Sequence, residues 1–339
     1  VTIAARMENV RCEQVAGYLR SDGDRVSFAP MPMVRGAKGY IEKFPSFIRM
    51  AKKAVSRETC TIIRFPSIPA LFIDAFYKKR HRPYALEIVA DPLSAYAENR
   101  LVAKLLAAHL RKACLHANGV SYVTQHALQK QYPCRANKIG YNTERYFESY
   151  YSSIVLKKAF FASARSYTGM YKSVKLIHTA NNINNDVKGH AVVIRVVKQL
   201  VDQGIDASVT FVGDGDLRPM LEKMAEELGI AARVTFTGLF GSAMDVREKL
   251  LEADIFILPT KAEGLPRAVI EAMAVGLPCL STPVNGIPEL LEPEYMLDPL
   301  DVDGFTKKII ELLHNPEKMT IASARNIEKA GEYEETILQ

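Results

Sequence analysis

Residues 254–291 read DIFILPTKAEGLPRAVIEAMAVGLPCLSTPVNGIPELL, and the punctuation of this stretch decides the fold class. An apolar run, Asp254 to Leu258, stops at a proline, and a polar loop carrying Glu263 and Gly264 follows. Pro266 then opens a segment whose apolar residues, Val269, Ile270, Met273 and Ala274, share one helical face. Gly276 and Pro278 end that helix, because glycine adopts the left-handed conformation past a helix end and proline cannot continue it. A second short run, Cys279 to Thr282, and a short helix near Pro288 complete a strand, loop, helix, strand, loop, helix. Strands separated by helices imply a parallel sheet wrapped by helices.

Working outward, the same alternation predicts strands at Val174 to Thr179, Val209 to Val212 and Arg233 to Thr237. It predicts helices at Lys188 to Val201, Leu217 to Leu228 and Ala243 to Leu251, with Gly229 stopping the second of them. In the first half, Thr59 to Phe65, Tyr84 to Ala90 and Val120 to Thr124 read as strands, and Ser94 to Asn118 as one long helix ended by Gly119. Patterning fades around Ala164 to Ser173. The expected organisation is therefore two α/β domains, residues 1–168 and 169–339.

The 339 residues, 48% hydrophobic and 24% charged, are enough for two domains with proper cores. No stretch reaches the roughly 20 apolar residues of a membrane span, and Val1 to Met7 holds no signal core. Five scattered cysteines without a C-x-x-C pair argue against a disulfide framework or a zinc site, and point to a reducing compartment. The charge is divided: residues 1–170 carry 27 Lys and Arg against 12 Asp and Glu, whereas residues 171–339 carry 17 against 26. A basic first half fits an anionic partner such as a membrane surface, a lipid phosphate or a nucleic acid, and equally fits attraction between the halves. No G-x-S-x-G, H-E-x-x-H or P-loop is present, which removes support for hydrolase and metalloenzyme readings.

In an open α/β sheet, ligands bind beyond the carboxyl ends of the strands, and the loop with Glu263 and Gly264 lies there. Glu271 falls in the second turn of the following helix, so two carboxylates approach one crevice. Carboxylates accept hydrogen bonds from paired hydroxyls, free N–H groups at a helix start attract diphosphate oxygens, and Gly264 lets the backbone approach a ligand closely. Spacing alone leaves open that Glu263 merely sits near a positive helix end and that Glu271 faces solvent. Gly213, Asp214 and Gly215 form a strand-to-helix turn that lacks the third glycine of a dinucleotide fingerprint, since Arg218 stands in its place. The D-x-D of Asp214 and Asp216 reads as turn chemistry, not as a metal site.

This segment resembles the signature of glycosyltransferase family 4, retaining transferases of the GT-B fold, in which a Glu, seven residues and a second Glu mark the donor site. The resemblance extends back through V-T-F-V-G-D-G-D-L at Val209 to Leu217, R-V-T-F-T-G at Arg233 to Gly238 and D-V-K-G-H-A-V-V-I at Asp186 to Ile194. It implies two Rossmann-like domains facing a cleft, an N-terminal acceptor-binding domain and a C-terminal nucleotide-sugar domain. It makes Glu271 the partner of the donor's ribose hydroxyls, Glu263 and the backbone of Gly264 and Leu265 the partners of the sugar, and Lys188 a diphosphate contact. Gly213 and Gly215 would line the nucleotide side. No metal or other cofactor is implied. The expected partners are a nucleotide-diphosphate sugar and a saccharide or lipid-linked saccharide acceptor, with peripheral contact to an anionic membrane and no nucleic acid. The expected location is the cytoplasm. One departure stands out: family members commonly carry an Arg a few positions before the Lys, where this chain has Asn181, Asn182, Ile183, Asn184 and Asn185. The rival activities are sugar-nucleotide epimerisation on the same fold and sugar-nucleotide binding without catalysis.

In the first domain, Tyr84 to Pro92 reads as a strand emptying into a loop. That places Asp91 either to accept a hydrogen bond from a substrate hydroxyl, with Glu87 nearby, or to cap the helix from Ser94. The early glycine-rich turn of many family members is not evident near Val1 to Arg11, an expectation either of a shortened start or of a subfamily without the turn. Phe44 to Arg57 is an amphipathic helix edged by Arg49, Lys52, Lys53 and Arg57. It suits an anionic membrane, or the ordinary packing of a surface helix on a sheet. Lys78, Lys79, Arg80, His81 and Arg82 extend the basic surface.

Overall fold

A computed structural model of the chain describes residues 1–6, 23–32, 34, 36–54, 60–79, 82–152, 154 and 156–337. The region expected to hold the early glycine-rich turn, together with Arg57, Arg80 and His81, lies partly or wholly outside the described residues.

Contacts divide the chain into one unit of Val1–Tyr122 with Gln129–Ser149, and a second of Val123–Leu128 with Tyr150–Gln339. In the first unit, β1 (Thr2–Arg6) and β2 (Ser27–Met31) pair in parallel as a two-stranded sheet. A second sheet has the order β3 (Ile62–Phe65), β4 (Ala85–Ile88), β5 (Gly119–Tyr122), β6 (Phe147–Tyr150), with β3, β4 and β5 parallel. The helices are α1 (Gly36–Ala54), α2 (Ile68–Lys79), α3 (Pro92–Ala95), α4 (Arg100–His116), α5 (Ala127–Gln131) and α6 (Arg135–Ile139).

The long helix expected from Ser94 to Asn118 is thus two helices. Asn99 interrupts it, because its Oδ1 accepts the Val102 N–H at 3.2 Å and starts α4 afresh as an N-cap. Gly119 does not stop that helix; it opens β5, where an added Cβ would come within 2.1 Å of the Phe147 ring. In α1, Phe47 is buried with Met31 and Val34, and Phe44 stacks edge-on against Phe72 at 5.0 Å. Ile41, by contrast, is 75% exposed.

The second unit has a five-stranded, wholly parallel sheet. Its elements are β7 (Ser173–Asn182), α7 (His190–Asp202), β8 (Asp206–Asp214), α8 (Arg218–Glu227), β9 (Val234–Phe236), α9 (Ala243–Leu251), β10 (Ile255–Ile257), α10 (Arg267–Ala274), β11 (Cys279–Leu280), α11 (Val302–His314) and α12 (Pro316–Gly331). Side chains alternate across the sheet. Leu176, Ile255 and Ile257 join a core with Val193 and Val197 of α7 and Phe305 and Ile309 of α11. Ile177 and Phe256 join the opposite core with Val269 and Met273 of α10. Each such buried side chain contributes about 1.5–3 kcal/mol, so both faces of the sheet are anchored.

This unit begins at Tyr150, ahead of the expected division at 168/169. The intervening residues pack on it: Ile154, Leu156 and Phe160 are buried in its second core. The Arg165 guanidinium donates to the carbonyls of Val275 (3.2 Å), Leu250 (3.2 Å) and Ala253, at the ends of α9 and α10. Patterning fades around Ala164 to Ser173 because the residues ahead of β7 form no helix or strand there. Val123–Leu128 joins the unit through Glu289, whose carboxylate accepts from the N–H groups of Gln125 (2.7 Å), His126 (2.9 Å) and Ala127 (2.7 Å). No helix among the described residues is long and apolar enough to cross a membrane.

Candidate functional site

The sheet order β11-β10-β7-β8-β9 reverses direction at β7: the chain builds outward on one side through β8 and β9, then returns to build on the other through β10 and β11. Ligands of open α/β sheets bind beyond the carboxyl ends of the strands at such a reversal, where the loops leaving β7 and β10 are neighbours. Lys188 and Glu263 stand on these two loops.

The loop after β7 is shaped by its own side chains. Asn185 Oδ1 accepts the Val187 N–H at 3.2 Å and starts a single 3₁₀ turn, Asp186–Lys188. Lys188 thus precedes α7 and does not open it, because Gly189 intervenes with φ of 77°. A Cβ at Gly189 would stand 2.3 Å from the Pro259 carbonyl oxygen, so glycine meets both a left-handed backbone and a close approach. Asp186 Oδ1 accepts the Ala191 N–H at 3.1 Å, so the start of α7 already carries a carboxylate. An anion at this loop depends on the Lys188 ammonium more than on the α7 N–H groups.

Three loops are laced side by side. The Val187 carbonyl accepts the Lys261 N–H at 2.8 Å and the Thr260 hydroxyl at 3.3 Å. Thr282 Oγ1 donates to the Thr260 carbonyl and Ser281 Oγ to the Leu258 carbonyl, both at 2.7 Å. Asn285 Nδ2 donates to the Glu263 carbonyl, and the Gly286 N–H to the Gly264 carbonyl at 2.9 Å. Within this lattice the Lys188 ammonium pairs with Glu263 Oε1; the Glu263 side chain is only 10% exposed and that of Lys188 32%. The N–H groups of Gly264 and Leu265 make no hydrogen bond to any described residue.

Pro266 is the N-cap of α10, one position ahead of the first helical place expected for it. Glu271 lies in the second turn of that helix, half-buried, with no hydrogen bond or ion pair to another described residue. Burial pushes its carboxyl up to about 7, and the charge of Arg267 opposes this only in part. The result is a carboxylate poised between charged and neutral and lacking donors.

Gly213 and Gly215 serve the frame. A Cβ at Gly213 would lie 1.8 Å from the Ala180 carbonyl oxygen, and one at Gly215 2.5 Å from Asn184 Oδ1. The space beside Gly213 is filled by the end of β7 and that beside Gly215 by the loop after it, which the Ile183 N–H also ties to the Asp214 carbonyl at 2.9 Å. Asp214 faces Arg218 at 3.5 Å. Asp91 belongs to the first unit. Its Oδ1 caps α3 through the Leu93 N–H at 3.0 Å and accepts the Tyr132 hydroxyl.

Sequence reading missed Thr260, Ser281, Thr282 and Asn285, whose hydroxyls and amide lace the loops. The signal was the T-K and S-T-P polar pairs ending two apolar runs. It also missed His178 and His190, two fully buried imidazoles with ring centroids 4.4 Å apart beneath the loop after β7.

Residues 165–331 match the family model described as glycosyl transferases group 1. Over 313 residues the chain is 26% identical to Protein CapJ of Staphylococcus aureus, covering 91% of this chain and 75% of that protein. Over 111 residues it is 39% identical to the amylovoran biosynthesis glycosyltransferase AmsK of Erwinia amylovora, covering 31% of this chain and 27% of AmsK. Among solved structures, Alr3699/HepE of Anabaena in complex with UDP and glucose matches with a TM-score of 0.67 at 14% identity, over 99% of this chain and 89% of that one. The fold is that of the GT-B glycosyltransferases. The residues that match the family model all lie in the second unit.

Proposed function

We propose that the protein is a retaining glycosyltransferase that moves a sugar from a nucleotide-diphosphate sugar to an acceptor hydroxyl in polysaccharide or glycolipid synthesis. The carrying observation is the Lys188–Glu263 pair between the loops that leave β7 and β10 at the strand-order reversal; Glu271, on the helix that the second loop leads into, has a carboxyl without a partner among the described residues. Two ribose hydroxyls supply the donors that Glu271 lacks and favour its charged form. Lys188 stabilises the diphosphate as its bond to the anomeric carbon breaks, the acceptor oxygen bonds to that carbon and the hydroxyl proton passes to the departing diphosphate oxygen, while the free N–H groups of Gly264 and Leu265 hold the sugar. No metal takes part in this reading. Glu263 orients the sugar while holding Lys188. Asp91, with both its bonds on Oδ1, keeps Oδ2 for an acceptor hydroxyl. CapJ, AmsK and the UDP- and glucose-bound HepE complex support the reading by similarity.

On this reading the acceptor is a saccharide or a lipid-linked saccharide, met in the cytoplasm at an anionic membrane surface. Exposed Ile41, Lys43, Arg49 and Lys52 of α1 support that contact.

Calorimetric titration with UDP-, GDP-, ADP- and dTDP-sugars tests the donor site. One donor is expected to bind, and Glu271→Ala to weaken it about 100-fold, the loss of two hydrogen bonds to a charged group. Binding of none overturns the reading. Turnover without an acceptor to an altered sugar nucleotide establishes epimerisation instead, and the anomeric configuration of a transfer product, read by NMR, decides retention.

A further inference from the structure

We propose that His178 is a positioning residue of this donor site: from the buried side of the sheet its Nε2–H holds the Lys188 carbonyl, and so sets where the Lys188 ammonium stands. The assignment rests on the donor-site reading above.

His178 lies in β7, fully buried, with Nε2 3.0 Å from the Lys188 carbonyl oxygen. A carbonyl only accepts, so Nε2 carries the hydrogen and Nδ1 is the bare nitrogen. Nδ1 is buried without a partner, and both ring nitrogens of His190, at the start of α7, lack hydrogen-bond partners. The rings pack on each other and, each at 5.5 Å, on Phe211. An unmet buried nitrogen costs stability that a Leu or Phe in the same space would not. The single bond His178 makes must therefore matter, and it lands on the residue whose ammonium meets Glu263.

No other described group bonds to the Lys188 carbonyl. Its neighbours in the turn are held otherwise: the Val187 carbonyl by Lys261 and Thr260, and the Asp186 carboxylate by the Ala191 N–H. Burial keeps His178 neutral and the Lys188 ammonium acts in the same direction, against the smaller opposing effects of the bond to the Lys188 carbonyl and of the Asp186 carboxylate. A neutral ring keeps one donor and adds no charge beside Lys188.

The test is the affinity of whichever of UDP, GDP, ADP and dTDP binds the unaltered chain most tightly, measured by calorimetry on His178→Phe, His178→Gln, Lys188→Ala and the double variant His178→Phe/Lys188→Ala. His178→Phe fills the space without a donor and is expected to weaken binding about tenfold. His178→Gln, which offers an N–H near the Nε2 position, recovers most of this. In the Lys188→Ala background His178→Phe has no further effect. Unchanged affinity in His178→Phe, or losses that multiply in the double variant, overturns the assignment while the donor site stands. Failure of the unaltered chain to bind any of the four overturns both. A readout independent of variant folding is the 15N resonance of His178 Nε2 in the unaltered chain. It is expected to shift when nucleotide saturates the site, and constancy overturns the assignment.

Discussion

Asp91 lies in the loop that leaves β4 and Glu271 in the second turn of α10, and the chain treats these two acids in opposite ways. Asp91 has donors on one of its two oxygens: Oδ1 receives a backbone N–H and a tyrosine hydroxyl, and α3 begins on it. Glu271 is half-buried with no such donor, and its carboxyl is pushed up to about 7. The first arrangement stabilises the fold. The second destabilises it locally and is relieved when donors arrive. Both acids follow a parallel strand in the sequence, so their place in the chain does not separate them; unmet hydrogen-bonding capacity does.

That contrast can be broken or sharpened at four places. Lys188→Met leaves the Glu263 carboxylate buried and unpaired, with an expected loss of about 2–3 kcal/mol in urea unfolding, less than a fully buried pair because Lys188 is partly exposed. Adding Glu263→Gln should restore most of it, and additive losses would show that the pair does not form in solution. Glu271 comes next. Its carboxyl titrates near 7 in the folded chain against 4.5 in a free one, so the folded chain holds the extra proton between these values and stability falls as pH rises through them. Glu271→Gln should therefore be more stable than the unaltered chain at pH ~8 by about 1–3 kcal/mol, with no gain at pH ~4.

His190 has the opposite sign. Burial lowers its pKa from 6.5 to about 4, so the unfolded chain binds the proton first and stability falls as pH drops through that window. His190→Phe should flatten the acid side of the stability profile by about 1–2 kcal/mol at pH ~5, and a profile unchanged by the substitution would show that the ring is not buried neutral. The smallest effect is expected at Asp91: Asp91→Asn keeps an acceptor oxygen for the Leu93 N–H and the Tyr132 hydroxyl and costs at most about 1 kcal/mol. A gain in stability there would place Asp91 with Glu271 and erase the contrast.

Much of the second unit was legible because its apolar runs and helical faces alternate at regular spacing, and α9 falls where the pattern placed it, Ala243–Leu251. Lys188 and Glu263 were legible as residues, but their pairing was not. Bringing them together depends on the strand order, which a linear pattern does not contain, and on hydroxyls that act through backbone carbonyls. The 3₁₀ turn at Lys188 escaped notice because Val187 continues the helical spacing of α7, while Asn185 and Gly189 impose the turn locally. In the first unit the division of the expected long helix rests on one asparagine, a residue whose side chain competes with the helix for backbone N–H groups. The boundary at Tyr150 was hidden because an extended segment packed on a sheet has no periodicity of its own.

Leu156, near the start of the second unit's main segment, forms a parallel bridge with Glu334, near its end, and its carbonyl accepts the Glu335 N–H at 3.0 Å. Entry and exit of that segment are thus side by side. A segment with this property can be spliced as a cassette into a surface loop of another protein, or have its ends joined and be reopened elsewhere, without stretching its core.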